Sequence, residues 1–233
     1  MSAIQHKGQS CGFPDSAWSP EFRGQSQSPT VFLPSDWRTR VILPDPVDVD
    51  MVAECATLAS YLPLRTPQRK LEIVSQAKSD MDAVWPVQSV AGDPHLPPHP
   101  SSIKLVRALL NEIWGPIFFF KERFNRGRPY HCCAQNLAPM FMAGPLYPGH
   151  PAYPSGHSTQ AHSVAYVLQE IFPNLQGRLA DAAGRVAQNR EVAGLHYPSD
   201  SAAGMALARQ LVDLLLAQTS FRTLLEAAGA EWP

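Results

Sequence analysis

From residue 102 onward the chain places Ile103, Val106, Leu110, Ile113 and Ile117 at steps of three and four, the repeat of one helical face and not the alternation of a strand. The stripe runs on into Phe118, Phe119 and Phe120, so one long amphipathic helix is expected, with Pro129 ending it. A second stripe, Ala161, Val164, Ala165, Leu168, Ile171 and Phe172, repeats the pattern. Shorter helices are expected over about 49 to 62 and 66 to 84, the latter opened by Thr66 and Pro67 as N-cap and first-turn proline. Three more follow near 175 to 193, 199 to 217 and 219 to 228. No useful alternating pattern and no internal repeat interrupts them. The expected fold is all-α, one helical bundle over residues 51–233.

Residues 1–50 differ. They are rich in Pro, Ser, Gln and Asp and show no sustained period, which reads as an irregular arm. Trp18, Phe22, Phe32 and Trp37 would be wasted in a floating tail, so the arm is expected to pack on the domain. The proline-rich stretches 91 to 102 and 130 to 154 read as loops, with His95 and His99 as solvated loop histidines. Cys11, Cys55, Cys132 and Cys133 lack the spacing of a zinc site. A chain this long has no need of disulfides, so the vicinal pair is expected to be structural. A formal charge of −1 and a pI near 6.7 leave no overall field to gather nucleic acid or an anionic membrane surface. The run Ile113 to Phe120 is too short to span a bilayer. With no basic and apolar leader, the expectation is a soluble protein, cytoplasmic as it stands and periplasmic if a leader was removed. Oligomeric state is not legible.

Three segments carry chemistry. The first is Lys121-Glu-Arg-Phe-Asn-Arg-Gly-Arg128-Pro129. Lys121 and Arg128 stand seven apart, so both are expected on one helix face at the edge of the apolar stripe, where two buried like charges call for an anion. Arg123 and Arg126 are expected on the solvated face. The second, Pro154-Ser155-Gly156-His157, lies where a loop meets a periodic helix. Free backbone N–H groups and the helix dipole make an anion site there, Ser155 can cap and donate, and Gly156 lets a ligand approach the backbone. The third runs from Arg190 to His196-Tyr-Pro-Ser-Asp200. A four-residue step lets the Asp200 carboxylate accept from one imidazole nitrogen of His196 and leave the other as a lone pair. Arg190 shares a stripe with Val186 and Ala183, so its fork of donors points inward.

In order and spacing these segments resemble the K-x6-R-P, P-S-G-H and S-R-x5-H-x3-D signature of the type 2 phosphatidic acid phosphatase superfamily, which includes bacterial nonspecific acid phosphatases and vanadium haloperoxidases. The resemblance covers residues 121 to 200, with Asn189 standing where the family usually has Ser. It implies a metal-independent phosphomonoester hydrolase. Lys121, Arg128, Ser155, Gly156 and Arg190 would bind phosphate, His196 would attack phosphorus, Asp200 would orient His196, and His157 would serve as acid and then base. No cofactor is implied, and the partner is a small phosphorylated substrate. The alternative within the family is a vanadate-dependent haloperoxidase with His196 as axial ligand. His150 belongs to that alternative, because His-Pro-x-Tyr-Pro-Ser-Gly-His resembles the bromoperoxidase form with a second histidine beside vanadate. Family haloperoxidases are much longer chains. A non-catalytic phosphate-binding module, the third reading, would lack the nucleophile or the acid, and neither is missing. His162 is expected to pack on a neighbouring helix and His131 to line the pocket entrance.

Overall fold

A computed structural model describes residues 11–78, 99–133, 137–140 and 148–232. Among the described residues the regular structure is helical apart from one isolated bridge between Gly12 and Arg126. The helices are α1 (Trp37–Arg40), α2 (Met51–Ser60), α3 (Pro67–Lys78), α4 (Pro100–Phe124), α5 (Pro129–Cys132), α6 (Gly156–Ile171), α7 (Gln176–Val192), α8 (Pro198–Leu216) and α9 (Thr219–Gly229). The expected helix starts hold. Asp50 accepts from the N–H groups of Val52 and Ala53 to open α2, and Thr66 accepts from Arg69 to open α3. The expected extension of α3 to residue 84, like His95, lies outside the described residues.

The stripe of α4 buries Val106, Leu109, Ile113 and Ile117 against α9, α6 and the irregular arm. Helix α6 is the centre of the bundle, packed on α7 and α8. In the arm, Trp37 is buried edge-on to Phe119, Phe22 stacks on Phe118, and Phe32 meets Phe221. Glu112 fastens the arm by accepting from the backbone N–H groups of Val31, Phe32 and Leu33 at 2.7 to 2.9 Å, which also satisfies a carboxylate that is 2% exposed.

Several expectations need correction. Pro129 does not end the long helix. Asn125, in the left-handed conformation at φ 44°, ends α4 after Phe124, and Pro129 instead opens α5, because Asn tolerates that backbone and proline suits a first helical turn. The cysteines are all paired, Cys11 with Cys132 and Cys55 with Cys133. The vicinal pair thus staples both the arm and α2 to the segment after Arg128. His99 is not a free loop side chain, since it stacks on Trp232 with ring centroids 3.8 Å apart.

Two glycines bring the active elements together. Gly194, at φ 75°, reverses the chain beyond α7, with its N–H donating to Glu191 and that of Leu195 to the Arg190 carbonyl, a Schellman end. Gly204 lets α8 lie close on α6, since a Cβ there would stand 2.7 Å from the Ser155 carbonyl oxygen. The Ser155 N–H donates to the Asp200 carbonyl at 3.0 Å across that contact.

Candidate active site

His196 lies just before α8 and Asp200 in its first turn. The Nδ1 of His196 is 3.2 Å from Asp200 Oδ2, which also accepts from the Tyr197 N–H at 2.9 Å. The Arg128 guanidinium lies 3.1 Å from Nε2 of the same ring. Arginine only donates and a carboxylate only accepts, so the ring carries its proton on Nδ1 and a lone pair on Nε2. Burial first, then the charges of Arg128 and Lys121, hold His196 well below the ordinary histidine range, so the ring is neutral.

Asp200 has a further partner absent from the expected site. Arg126, expected on a solvated face, is buried and donates to Asp200 Oδ1 at 2.6 Å and to Glu54 Oε2 at 2.5 Å. Its guanidinium also lies over the Tyr197 ring. The chain turns at Asn125, which swings Arg126 off the outer face of α4 and into the bundle.

The expected shared helix face of Lys121 and Arg128 is not what brings these cations near each other. Lys121 is in the last turn of α4 and Arg128 lies beyond that helix in extended backbone, so they do not share a helix face. They converge on one acceptor, the Pro151 carbonyl, at 2.8 and 3.2 Å. Lys121 also donates to the carbonyls of Ala152 and Pro154. Its ammonium therefore braces the loop before α6, and a direct contact with phosphate requires exchange of one of those bonds. Burial, then the Arg128 charge, lowers its pKa well below the ordinary lysine value, partly opposed by Asp200.

Arg190 is fully buried near the end of α7. Its Nη2 donates to the Ile73 carbonyl and Gln76 Oε1, while Nε and Nη1 find no acceptor among the described residues. Burial lowers its pKa to about 10, against the opposing charge of Glu72. Two buried guanidinium donors without acceptors are costly unless an anion takes them. Asn189, in the family's serine position, donates to Glu72 and Gln76 and accepts from Arg69. One amide oxygen, Gln76 Oε1, thus holds both Asn189 and Arg190, tying α3 to α7.

Ser155 caps α6 through the Ser158 N–H, and Gly156 and His157 follow at its N-terminus, both partly exposed where the site meets solvent. His157 is also held well below the ordinary range, by burial and then by Arg190, Arg128 and Lys121. Those charges reach both histidines, so Lys121, Arg128, His157, Arg190 and His196 form one electrostatic cluster. His150 joins it, with Nδ1 3.1 Å from Arg128 Nη2 and its ring edge-on to Phe22 and Phe118. His131 is exposed and packs on Phe13 and Tyr130. His162 is buried and bonds to the Ser158 carbonyl of its own helix.

The chain is thus an all-helical bundle centred on α6, with a capped helix start, buried cations and an oriented histidine. The PAP2 superfamily model matches residues 103–223, and the chain belongs to that superfamily. An acid phosphatase of Zymomonas mobilis is 27% identical over 174 residues, 72% of this chain and 61% of the relative. A non-specific acid phosphatase of Providencia stuartii is 32% identical over 81 residues, 35% of this chain and 33% of the relative. The chain therefore spans less than two thirds of the length of either relative. Among solved structures, a bacterial vanadium-dependent iodoperoxidase shares the fold at a TM-score of 0.67 and 13% identity, over 94% of this chain and 61% of that one. A transmembrane PAP2-type phosphatidylglycerolphosphate phosphatase from Bacillus subtilis shares it at 0.51 and 21%, over 72% and 86%. Among the described residues of this chain, no helix is long and apolar enough to cross a membrane.

Proposed function

We propose that this chain is a phosphomonoester hydrolase that works through a phosphohistidine on His196. The observation that carries the reading is the pairing of a neutral His196, its Nε2 lone pair defined by Asp200 and Arg128, with an Arg190 whose two buried donors have no acceptor among the described residues. A phosphoryl group placed between them satisfies both. Phosphate oxygens draw Arg128 from Nε2 and take the Nε and Nη1 donors of Arg190, and the lone pair so released attacks phosphorus. The ester oxygen leaves with the proton of His157. Water then attacks phosphorus while His157 takes its proton, the phosphorus–Nε2 bond breaks with its electron pair returning to nitrogen, and phosphate and free His196 are released.

His157 is neutral in the free protein, yet an acid must carry a proton. The negative charge of the bound ester offsets Arg190, Arg128 and Lys121, the cations that depress it, so substrate binding itself raises its proton affinity. The same cations supply the charge stabilisation that a divalent metal gives in other phosphoryl transfers, which is the basis for proposing metal independence. Orthovanadate, which mimics the five-coordinate phosphoryl group, fits these donors as an inhibitor. The two disulfides suit an oxidising compartment.

The test is hydrolysis of an aryl phosphate by the full chain, with and without a chelator, together with acid-quench trapping of the phosphoenzyme. Hydrolysis should survive chelation and stop with vanadate, and His196→Ala should abolish both turnover and the acid-labile phosphoenzyme. His157→Ala should slow alkyl phosphates more than aryl ones, because a good leaving group needs little protonation. Activity that vanished with chelator and returned with magnesium or zinc overturns this mechanism.

The placement of His150 favours one second reading. Its ring stands against Arg128 within the cationic cluster, the position a second histidine needs beside vanadate in a haloperoxidase. Strong bromide oxidation by the vanadate-loaded chain, weakened by His150→Phe, with negligible hydrolysis without vanadate, would replace the phosphatase reading. The expected result is trace oxidation only.

A further inference from the structure

Behind the nucleophile lies a buried chain of charges that the reaction does not itself require. Glu54 accepts from Arg126 and from both the N–H and the hydroxyl of Ser199, at 2.5 to 2.8 Å. Arg126 donates to Ser199 and to Asp200 Oδ1, and Asp200 Oδ2 faces His196 Nδ1. Glu54, Arg126 and Asp200 are 7%, 3% and 0% exposed, so water screens none of these contacts. Each member of the relay comes from a different element: Glu54 from α2, Arg126 from the turn after α4, and Asp200 from α8. Cys55, next to Glu54, is tied by its disulfide to Cys133, which anchors the outer end.

We propose that Arg126, held by Glu54, is a positioning residue for His196: it occupies Asp200 Oδ1, leaves Oδ2 for the imidazole, and balances the Asp200 charge so that the nucleophile stays unprotonated. The proposal rests on the reading of His196 as the nucleophile. Its physics is a competition for one carboxylate. Asp200 attracts either the fixed charge of Arg126 or a proton on His196. Without Arg126 two buried carboxylates would face each other with no cation between them, and the nearest site for a compensating proton is the imidazole. His196 is faced by Asp200, Arg128, Lys121, His157 and Arg190, and the last four all disfavour that proton. Glu191 also acts on the relay, its proton affinity raised by burial and further by Asp200 and Glu54. Tyr153 and Tyr197, pushed above the ordinary phenol range by burial and then Asp200, stay neutral.

The relay predicts shifts of opposite sign. Arg126→Met should raise the pH at which His196 protonates by about one unit or more. Glu54→Gln leaves Arg126 to Asp200 alone and should lower it. The readout is the long-range proton–nitrogen NMR spectrum of the imidazoles in the full chain, with His196→Ala to assign the signal. It reports tautomer and titration without any turnover. In parallel, kcat/KM for an aryl phosphate is followed against pH. For Arg126→Met the acid limb should move up with the titration, with kcat reduced roughly 10²-fold at acid pH, KM changed less, and Arg126→Lys recovering part of the loss.

An unshifted His196 titration in folded Arg126→Met, or shifts of the same sign in the two variants, overturns the proposal. So does a loss of kcat uniform across pH, which is what a merely structural arginine would give. If Arg126→Met does not fold, Glu54→Gln decides by the sign of its shift. If the wild-type chain hydrolyses nothing, the phosphatase reading has failed, while the NMR titrations still test whether Arg126 sets the state of His196.

Discussion

Gly204→Ala tests whether the site depends on the closeness of α6 and α8. A Cβ at residue 204 would stand 2.7 Å from the Ser155 carbonyl oxygen and 2.8 Å from Ser158 Cβ. The first of these is backbone and cannot rotate away. To restore the 3.4 Å of an ordinary contact, the two helices must part by about 0.7 Å. That movement falls on the element carrying Asp200, whose carbonyl accepts from Ser155, and so on the orientation of His196. Overpacking costs about 1–3 kcal/mol, and alanine returns up to about 1 kcal/mol of helix propensity. Gly184→Ala is the control. It lies on the exposed face of α7 with nothing within 4 Å of its added methyl group, so it should stabilise by about 0.5–1 kcal/mol and leave turnover unchanged. The propensity term cancels between the variants, and their difference should be about 1–3 kcal/mol, or roughly 2–4 °C in Tm for each kcal/mol. Thermal denaturation and aryl phosphate kinetics on the pair are the assay, with kcat/KM of Gly204→Ala expected to fall about 10- to 100-fold. Equal stability of the two variants, or an unchanged kcat/KM in Gly204→Ala, would show that the close approach does not position the site.

Three more outcomes follow from the same geometry. Because burial and the neighbouring cations hold free His196 below the ordinary range, kcat/KM should persist on the acid side of about pH 6.5 and fall only as the pH drops through the depressed value. A limb at or above that value in a pH–rate profile would contradict it. His150, His157 and His196 all resist protonation in the fold, so the unfolded chain binds more protons there. Stability should therefore rise with pH across that window and be lost as pH falls below about 6.5, with added inorganic phosphate restoring part of the Tm. A flat Tm from pH 7 to pH 5 would refute this. The Cys55–Cys133 bridge closes a separation of 78 residues, worth about 4 kcal/mol by loop entropy. The paired change to alanine should cost a large part of that in denaturant and lower kcat through Glu54, whereas unchanged stability would refute it.

The features legible in the sequence are those written in a local period or a short spacing. Val106, Ile113 and Ile117 had only to recur at helical steps to place α4, and His196 and Asp200 are four apart, so a single turn joins them. The failures concern partners far away along the chain. Cys132 and Cys133 are adjacent, but their partners lie 121 and 78 residues off, and no spacing rule reaches that far. By its helical position Arg126 reads as one more solvated cation, because its carboxylates are 72 and 74 residues distant and nothing local marks Asn125 as the helix end. The same helical period puts Lys121 and Arg128 on one face, when what joins them is the Pro151 carbonyl.

The distant partners share a location that bears on how the site is tuned. Glu54 on α2 and Gln76 on α3 lie outside residues 103–223, the span matched by the superfamily. Yet Glu54 holds the arginine that holds Asp200, and Gln76 holds Arg190, whose Nε and Nη1 have no acceptor among the described residues. On the proposed phosphatase reading the motif residues supply the reacting groups, and contacts from the segment before them set their charge state and aim. On that reading, changes confined to residues 51–78 are expected to shift the working pH or the affinity for phosphate while every motif residue stays in place.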